Sequence, residues 1–343
     1  MRFGLFGGAK SSGEAGVGDS QTYHRFLDYV VAADELGYES IFLVEHHFTG
    51  NSQVSASLNL LSFLAARTRR MRLGTAVVVL PWHNPVLLAE QVATADLLSG
   101  GRVDFGVGKG YRDNEFESFC IPKAEATERF DECMEVLRKA WTGTGRWSHH
   151  GKHWNFDNIV VEPRPVQTPH PPFWMGAGSP EGIARAGAEG FNLLLDQLAP
   201  IELIVERVAI YRAALEAAGQ TFDGMRVGVT RALQIVRSEE ERQKAFALRR
   251  KTLQAIGGLA RGPGAERYQQ PSSFADSDIA KENAALIGTP DEIIGQLQQL
   301  QSGGVDYVLL IDASGNTRTL RNFADEIMPE FAEKKRTLSA VRG

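Results

Sequence analysis

Short apolar runs alternate with longer segments of helical period along the whole chain, with no linker-like break. The runs Arg2 to Phe6, Ser40 to Glu45, Met71 to Leu80, Arg102 to Val107, Phe173 to Gly176, Phe191 to Leu195, Arg226 to Val236 and Tyr307 to Ile311 have the length and composition of buried strands. Between them, Tyr23, Phe26, Leu27 and Val30 recur at helical spacing and stop at Gly37. Phe130, Cys133, Met134, Leu137 and Trp141 repeat that pattern. Thr289-Pro290-Asp291-Glu292 combines an N-cap, a first-position proline and a capping-box glutamate, with Gly303 as the stop. Pro200 opens another helix, with Ile201, Ile204, Val205, Val208 and Leu215 on one face. Strand–helix units repeated in this way predict an α/β chain: a (β/α)8 TIM barrel, one domain over 1–343, ahead of an open doubly wound sheet.

Two stretches depart from the repeat. The segment 142–172 is rich in His, Trp, Pro and Gly around the strand-like Trp154 to Val161, and predicts an insertion carrying a small hairpin. The segment 255–287 holds Gly257-Gly258, Gly262-Pro263-Gly264 and Pro271-Ser272-Ser273 without strong periodicity, and is expected to be a mobile lid loop.

Composition narrows the function classes. The 343 residues are 43% hydrophobic and 23% charged, enough for a large core, and the formal charge of -5 is interspersed rather than striped. That argues against nucleic acid or an anionic membrane as partner. The longest strongly apolar run, Ala76 to Trp82, is far short of the roughly 18 residues of a membrane helix. The glycine-rich start leaves no signal-peptide core, so a cytoplasmic protein is expected. Cys120 and Cys133 fit no metal or redox spacing and are expected to be buried and unpaired.

The candidate chemistry gathers at strand ends, where barrel enzymes carry their active sites. Val44-Glu45-His46-His47-Phe48 closes the second strand with two imidazoles and a carboxylate. His46 is the expected proton-transfer group, Glu45 its orienting neighbour, and His47 a structural residue. A metal site is not expected, because the chain has no H-E-x-x-H and its other histidine group, His149, His150 and His153, sits in the polar insertion. Phe105-Gly106-Val107-Gly108-Lys109-Gly110-Tyr111 follows a strand and offers Lys109 to an anion, although Tyr111 breaks the dinucleotide fingerprint. Met175-Gly176-Ala177-Gly178-Ser179-Pro180 ends another strand, with Ser179 as N-cap and Pro180 as first helical residue, an arrangement suited to an anion. Together these two loops favour a phosphate-bearing ligand. The small residues within Gly74 to Trp82 could back a flat ring or simply pack the barrel interior.

Taken together, Val44 to Thr49, Gly74 to Pro81, Gly101 to Gly110, Pro171 to Ser179, and Ile287 to Glu292 with Gly303 to Tyr307 resemble the bacterial luciferase-like flavin monooxygenase superfamily, in the same order from about Arg2 to Phe331. The resemblance implies a barrel that binds reduced FMN at the C-terminal ends of its strands. There O2 forms a C4a-hydroperoxyflavin that oxygenates a small organic substrate, and a separate flavin reductase supplies the cofactor. It implies acid-base work for His46, a non-prolyl cis peptide at Ala76 and Val77 behind the flavin ring, and phosphate contacts from Lys109, Gly178 and Ser179. Trp82, Tyr111 and Trp174 are the expected pocket walls. Gly108 stands where luciferase has a reactive cysteine, and Lys109 where it has arginine, which keeps the charge but loses the bidentate fork. A homodimer with Val54 to Leu64 at its seam is also implied. Two rivals stay open: F420-dependent hydride transfer within the same superfamily, and a non-catalytic flavin-binding protein.

Overall fold

The computed structural model describes residues 1–11, 16–50, 52–258, 284–312 and 314–332. Its strands are β1 (Arg2–Gly7), β2 (Ser40–Leu43), β3 (Arg72–Thr75), β4 (Val78–Val79), β5 (Val103–Gly108), β6 (Trp147–His150), β7 (Asn155–Ile159), β8 (Phe173–Gly176), β9 (Asn192–Leu195), β10 (Val227–Ile235), β11 (Leu286–Gly288) and β12 (Tyr307–Asp312). The helices used below are α1 (Asp19–Leu36), α2 (Ser57–Arg67), α3 (Pro85–Ser99), α4 (Asp113–Ser118), α5 (Ala126–Thr142), α6 (Pro180–Ala188), α7 (Ile201–Ala217), α8 (Glu239–Gly258) and α9 (Pro290–Ser302). Parallel pairing runs β1, β2, β3, β5, β8, β9, β10, β12 and back to β1, which closes the ring. The expected (β/α)8 barrel is therefore present.

Side-chain alternation along these strands makes two cores. Phe42, Trp174, Leu194, Tyr307 and Leu309 point inward and plug the barrel. Their neighbours, such as Ile41, Leu43, Phe173, Leu193, Leu195, Val308 and Leu310, point outward against the helices. The helix signals hold as well. Gly37 ends α1 in the left-handed region at φ 91. The buried face of α5 is Phe130, Cys133, Met134, Leu137 and Trp141, with Ala126, Val136 and Ala140. The capping box of Thr289 and Glu292 opens α9.

Several expectations need correction. The run Met71 to Leu80 is two short strands, β3 and β4, separated by a cis peptide between Ala76 and Val77. At that break the Thr75 hydroxyl donates to the Gly106 carbonyl at 2.8 Å and accepts from the Gly106 N–H at 2.9 Å, in place of a ladder rung. The second strand ends at Leu43, so Glu45 belongs to the loop beyond it. Cys120 is exposed rather than buried, in a turn at φ 57. Parts of the segment expected to be a lid are regular structure, since α8 runs to Gly258 and β11 pairs with the end of β10; the rest of the lid, 259–283, lies outside the described residues. The hairpin expected in 142–172 is β6 and β7, paired antiparallel. Among the described residues, no helix is long and apolar enough to cross a membrane.

Candidate active site

Glu45 is the hub of the C-terminal mouth. Its side chain is buried, and one carboxylate oxygen accepts N–H bonds from His47 Nε2, Trp82 Nε1 and His83 Nε2, each at 2.9 Å. The other oxygen faces the Val79 N–H at 3.4 Å. Burial works against ionisation, but the bonds from His47, His83 and Trp82 outweigh it and hold the carboxyl down at about 2. Glu45 thus fastens the loop after β2 to the turn after β4.

That arrangement corrects the expected pairing, because Glu45 is bonded to His47 and His83 rather than to His46. The carboxylate at His46 is Glu115, from α4, 3.3 Å from Nδ1. The same Glu115 oxygen accepts the His47 backbone N–H at 3.0 Å. A carboxylate can only accept, so Nδ1 of His46 is the donor in this contact, and a neutral ring would carry its lone pair on Nε2. His46 keeps about a fifth of its side-chain surface, 19%, open, while Glu115 is buried.

The Val79 N–H that faces Glu45 belongs to β4, and the cis peptide stands two residues before it. The Val77 side chain leans over Gly108 and Gly176. A Cβ on Gly108 would stand 2.5 Å from Val77 Cγ2, and one on Gly176 would stand 3.4 Å from Cγ1. A side chain can occupy the Val77 side of this contact or the Gly108 side, but not both, which accounts for glycine at position 108. Gly106 is equally constrained, since a Cβ there would land on the Thr75 carbonyl oxygen. Strands β4, β5 and β8 therefore present backbone and one valine, with the inward-facing Trp174 among the residues that plug the barrel.

The two loops expected to hold an anion follow neighbouring strands. Val107 pairs with Met175, so Lys109 and Ala177 each follow, within two residues, from adjacent paired strands. Lys109 is exposed, with Nζ 3.4 Å from the Thr127 hydroxyl. Ser179 caps α6 by accepting the Gly182 N–H at 3.2 Å, and its own O–H hydrogen remains able to donate. Gly178 lies beside the Arg207–Asp196 ion pair, whose atoms would be 3.9 Å from an added Cβ.

The expected pocket walls divide into three environments. Trp82 stacks on Phe119 at 5.2 Å and meets Phe116 edge-on, as part of an aromatic cluster with His47. Trp174 is an interior plug residue packed on Phe42 and Tyr307, and its buried indole N–H has no partner. Tyr111 is largely exposed and lies under the Arg112 guanidinium. Sequence reasoning missed Glu115, His83 and Arg112. The signal available for α4 was Arg112, Glu115, Phe116 and Phe119 at helical spacing just beyond the glycine-rich turn. Among the described residues, no group of three or more His, Cys, Asp or Glu could hold a metal ion.

Comparison with known proteins agrees with this architecture. Residues 1–307 match the family model described as luciferase-like monooxygenase. The oxygenase component of a flavin-dependent trigonelline monooxygenase from Acinetobacter baylyi is 28% identical over 99% of this chain and 100% of its own. An FMNH2-dependent dimethylsulfone monooxygenase from Pseudomonas putida is 29% identical over 84% of this chain and 82% of its own. An F420-dependent glucose-6-phosphate dehydrogenase from Amycolatopsis mediterranei is 24% identical over 89% and 93%. Among solved structures, the monooxygenase RslO1 from Streptomyces bottropensis superposes with a TM-score of 0.84 and 28% identity, over 97% of this chain and 100% of that one. With its closed parallel barrel and a match covering most of its length, the chain belongs to the luciferase-like monooxygenase family.

Proposed function

We propose that this protein is a monooxygenase that takes reduced FMN from a separate reductase and uses it with O2 to oxygenate a small organic molecule. The observation that carries the reading is what the strand ends at one mouth of the barrel present: Gly108 and Gly176 with Val77 leaning over them, and a histidine bonded to a buried carboxylate. The glycine and valine surface suits a flat tricycle. Lys109 and the Gly178–Ser179 turn, on adjacent loops, suit the phosphate at its tail. When bound, the reduced flavin would supply the electrons that activate dioxygen.

The protein's own part is to hold, shield and move protons. Lys109 and Ser179 anchor the phosphate, and Val77 backs the ring. Trp82, Phe116 and Phe119 pack as an aromatic cluster against His47, next in sequence to His46, and shield that side of the site from water. His46 accepts or returns a proton at Nε2 while Glu115 keeps the hydrogen on Nδ1. The "oxygenase component" in the name of the Acinetobacter relative supports a partner reductase.

An F420-dependent hydride transfer is the competing reading, because one relative is named for that cofactor. Mixing the protein anaerobically with FMNH2 or reduced F420 and then admitting 18O2 with a substrate panel separates the two. We expect O2 consumption and label in product with FMNH2 only, and a fall of about 10^2-fold or more in turnover for His46→Ala with FMN affinity retained. Oxygen-independent turnover with reduced F420 would sink the proposal.

A further inference from the structure

The α4 segment carries a charge that the proposed mechanism does not use. Arg112 is only 5% exposed, yet no Asp or Glu among the described residues lies within ion-pair distance of it. Its Nε–H donates to the Tyr111 hydroxyl at 3.3 Å, and the guanidinium lies 5.5 Å from that ring's centroid. Nη1 is buried and has no hydrogen-bond partner among the described residues. A guanidinium taken out of water without an anion is unfavourable, so a buried one with an idle donor marks a place where the anion comes from outside the chain.

The location says what that anion belongs to. Arg112 is the N-cap residue of α4, in extended backbone three residues before Glu115, and Phe116 and Phe119 follow on the same short segment. Glu115 on this segment holds His46, and both phenylalanines meet Trp82. Tyr111, whose oxygen takes the Arg112 hydrogen, keeps its own O–H free to donate and stands 44% exposed at the mouth. Lys109, three residues earlier, occupies the position suited to the cofactor phosphate.

We infer that Arg112, with the Tyr111 hydroxyl, forms a carboxylate-binding subsite beside His46, so that the molecule oxygenated is an organic acid held by its carboxylate. The inference rests on the preceding assignment of the cofactor phosphate to Lys109 and Ser179. A fork of N–H groups on a planar cation fits a carboxylate geometrically, and in a water-poor site such a bond discriminates strongly against a neutral amide of the same shape.

The test uses FMN-loaded protein and matched probe pairs: benzoate with benzamide, nicotinate with nicotinamide, and hexanoate with hexanamide. Binding is read from flavin absorbance and tryptophan fluorescence. At least one acid should bind tenfold or more tightly than its amide. That preference should vanish in R112Q and weaken severalfold in Y111F. The proposal is overturned if no acid outbinds its amide in the wild-type protein, a comparison that needs no variant, or if the preference survives R112Q. FMN and riboflavin affinities give the second arm, in R112Q and in K109Q. R112Q should leave both affinities within twofold. A tenfold loss of FMN with riboflavin unaffected would make Arg112 a phosphate ligand and overturn the subsite. If instead K109Q leaves FMN affinity unchanged, the phosphate assignment fails and the acid preference still decides the subsite.

Discussion

A single carboxylate shows how side-chain chemistry and stability are linked in this mouth. Glu45 is buried, a setting that raises a carboxyl pKa, but its N–H donors from His47, His83 and Trp82 bring it down to about 2 from the ordinary 4.5. Because the folded value is the lower one, the stabilisation is fully present above pH 4.5 and is lost as pH falls from 4.5 toward 2. The gap corresponds to about 3 kcal/mol of folding free energy. Urea unfolding between pH 6 and pH 2 should therefore show the wild type losing that much more stability than Glu45→Gln, which has no proton to take up. Parallel curves for the two proteins would show that the hub does not titrate as described. At neutral pH the variant should be weaker throughout, because three donors lose a charged acceptor.

At the level of elements, the long regular pieces were legible and the short ones were not. The strands leading to Gly7, Val107, Gly176 and Asp312, and the caps at Ser179 and Thr289, announce themselves through apolar runs and turn residues that act locally. The break inside Met71 to Leu80 does not announce itself locally, since alanine and valine continue the apolar run on both sides of it, but the cis peptide between Ala76 and Val77 stands where the resemblance implies one. Helix α4 is six residues long, under two turns, so its period has too few repeats to register, and Glu115 is 69 residues from the histidine it holds. The misassigned Glu45–His46 pair has the same cause: adjacency in sequence was the available guide, whereas residues next to each other at a strand end point in different directions. If α4 exists to position His46, then Glu115→Gln, able to present an N–H to Nδ1, favours the wrong tautomer. A fall of about 10^2-fold or more in kcat is expected, with FMN affinity within twofold, a displaced limb in the pH–rate profile, and partial recovery in Glu115→Asp. An unchanged pH–rate profile would leave Glu115 as packing only.

For the molecule as a whole, the unexplained surface is the outer side of α2 and α3. The stretch expected at a seam, Val54 to Leu64, is mostly spent inside the fold, with Val54, Leu60, Leu61 and Leu64 buried and Phe63 left 47% exposed. The apolar surface comes instead from α3, where Leu87, Leu97 and Leu98 are 56%, 44% and 64% exposed. The other exposed positions along that helix, Gln91 and Thr94, are uncharged, and the half-buried Glu90 is the one ionisable side chain on the outward stripe from Leu87 to Leu98. Solvent-facing helix surfaces are ordinarily charged, and α2 packs beside α3 with the exposed Phe63 on its outer side, under the Arg67 guanidinium. A patch of this kind is self-complementary about a twofold axis that brings α3 against its own copy, the commonest closed assembly. We therefore expect light scattering to give a dimer at micromolar concentration. The double variant L87K/L98K should give a folded monomer, because both positions are exposed and neither packs the core. A monomeric wild type, or a dimer indifferent to the two lysines, would rule out this face. Because α3 begins only two residues after His83, which donates to Glu45, pairing through this helix would also steady the turn that carries the hub. The monomeric variant should accordingly show faster hydrogen exchange at Leu80 to Asn84 than the dimer does.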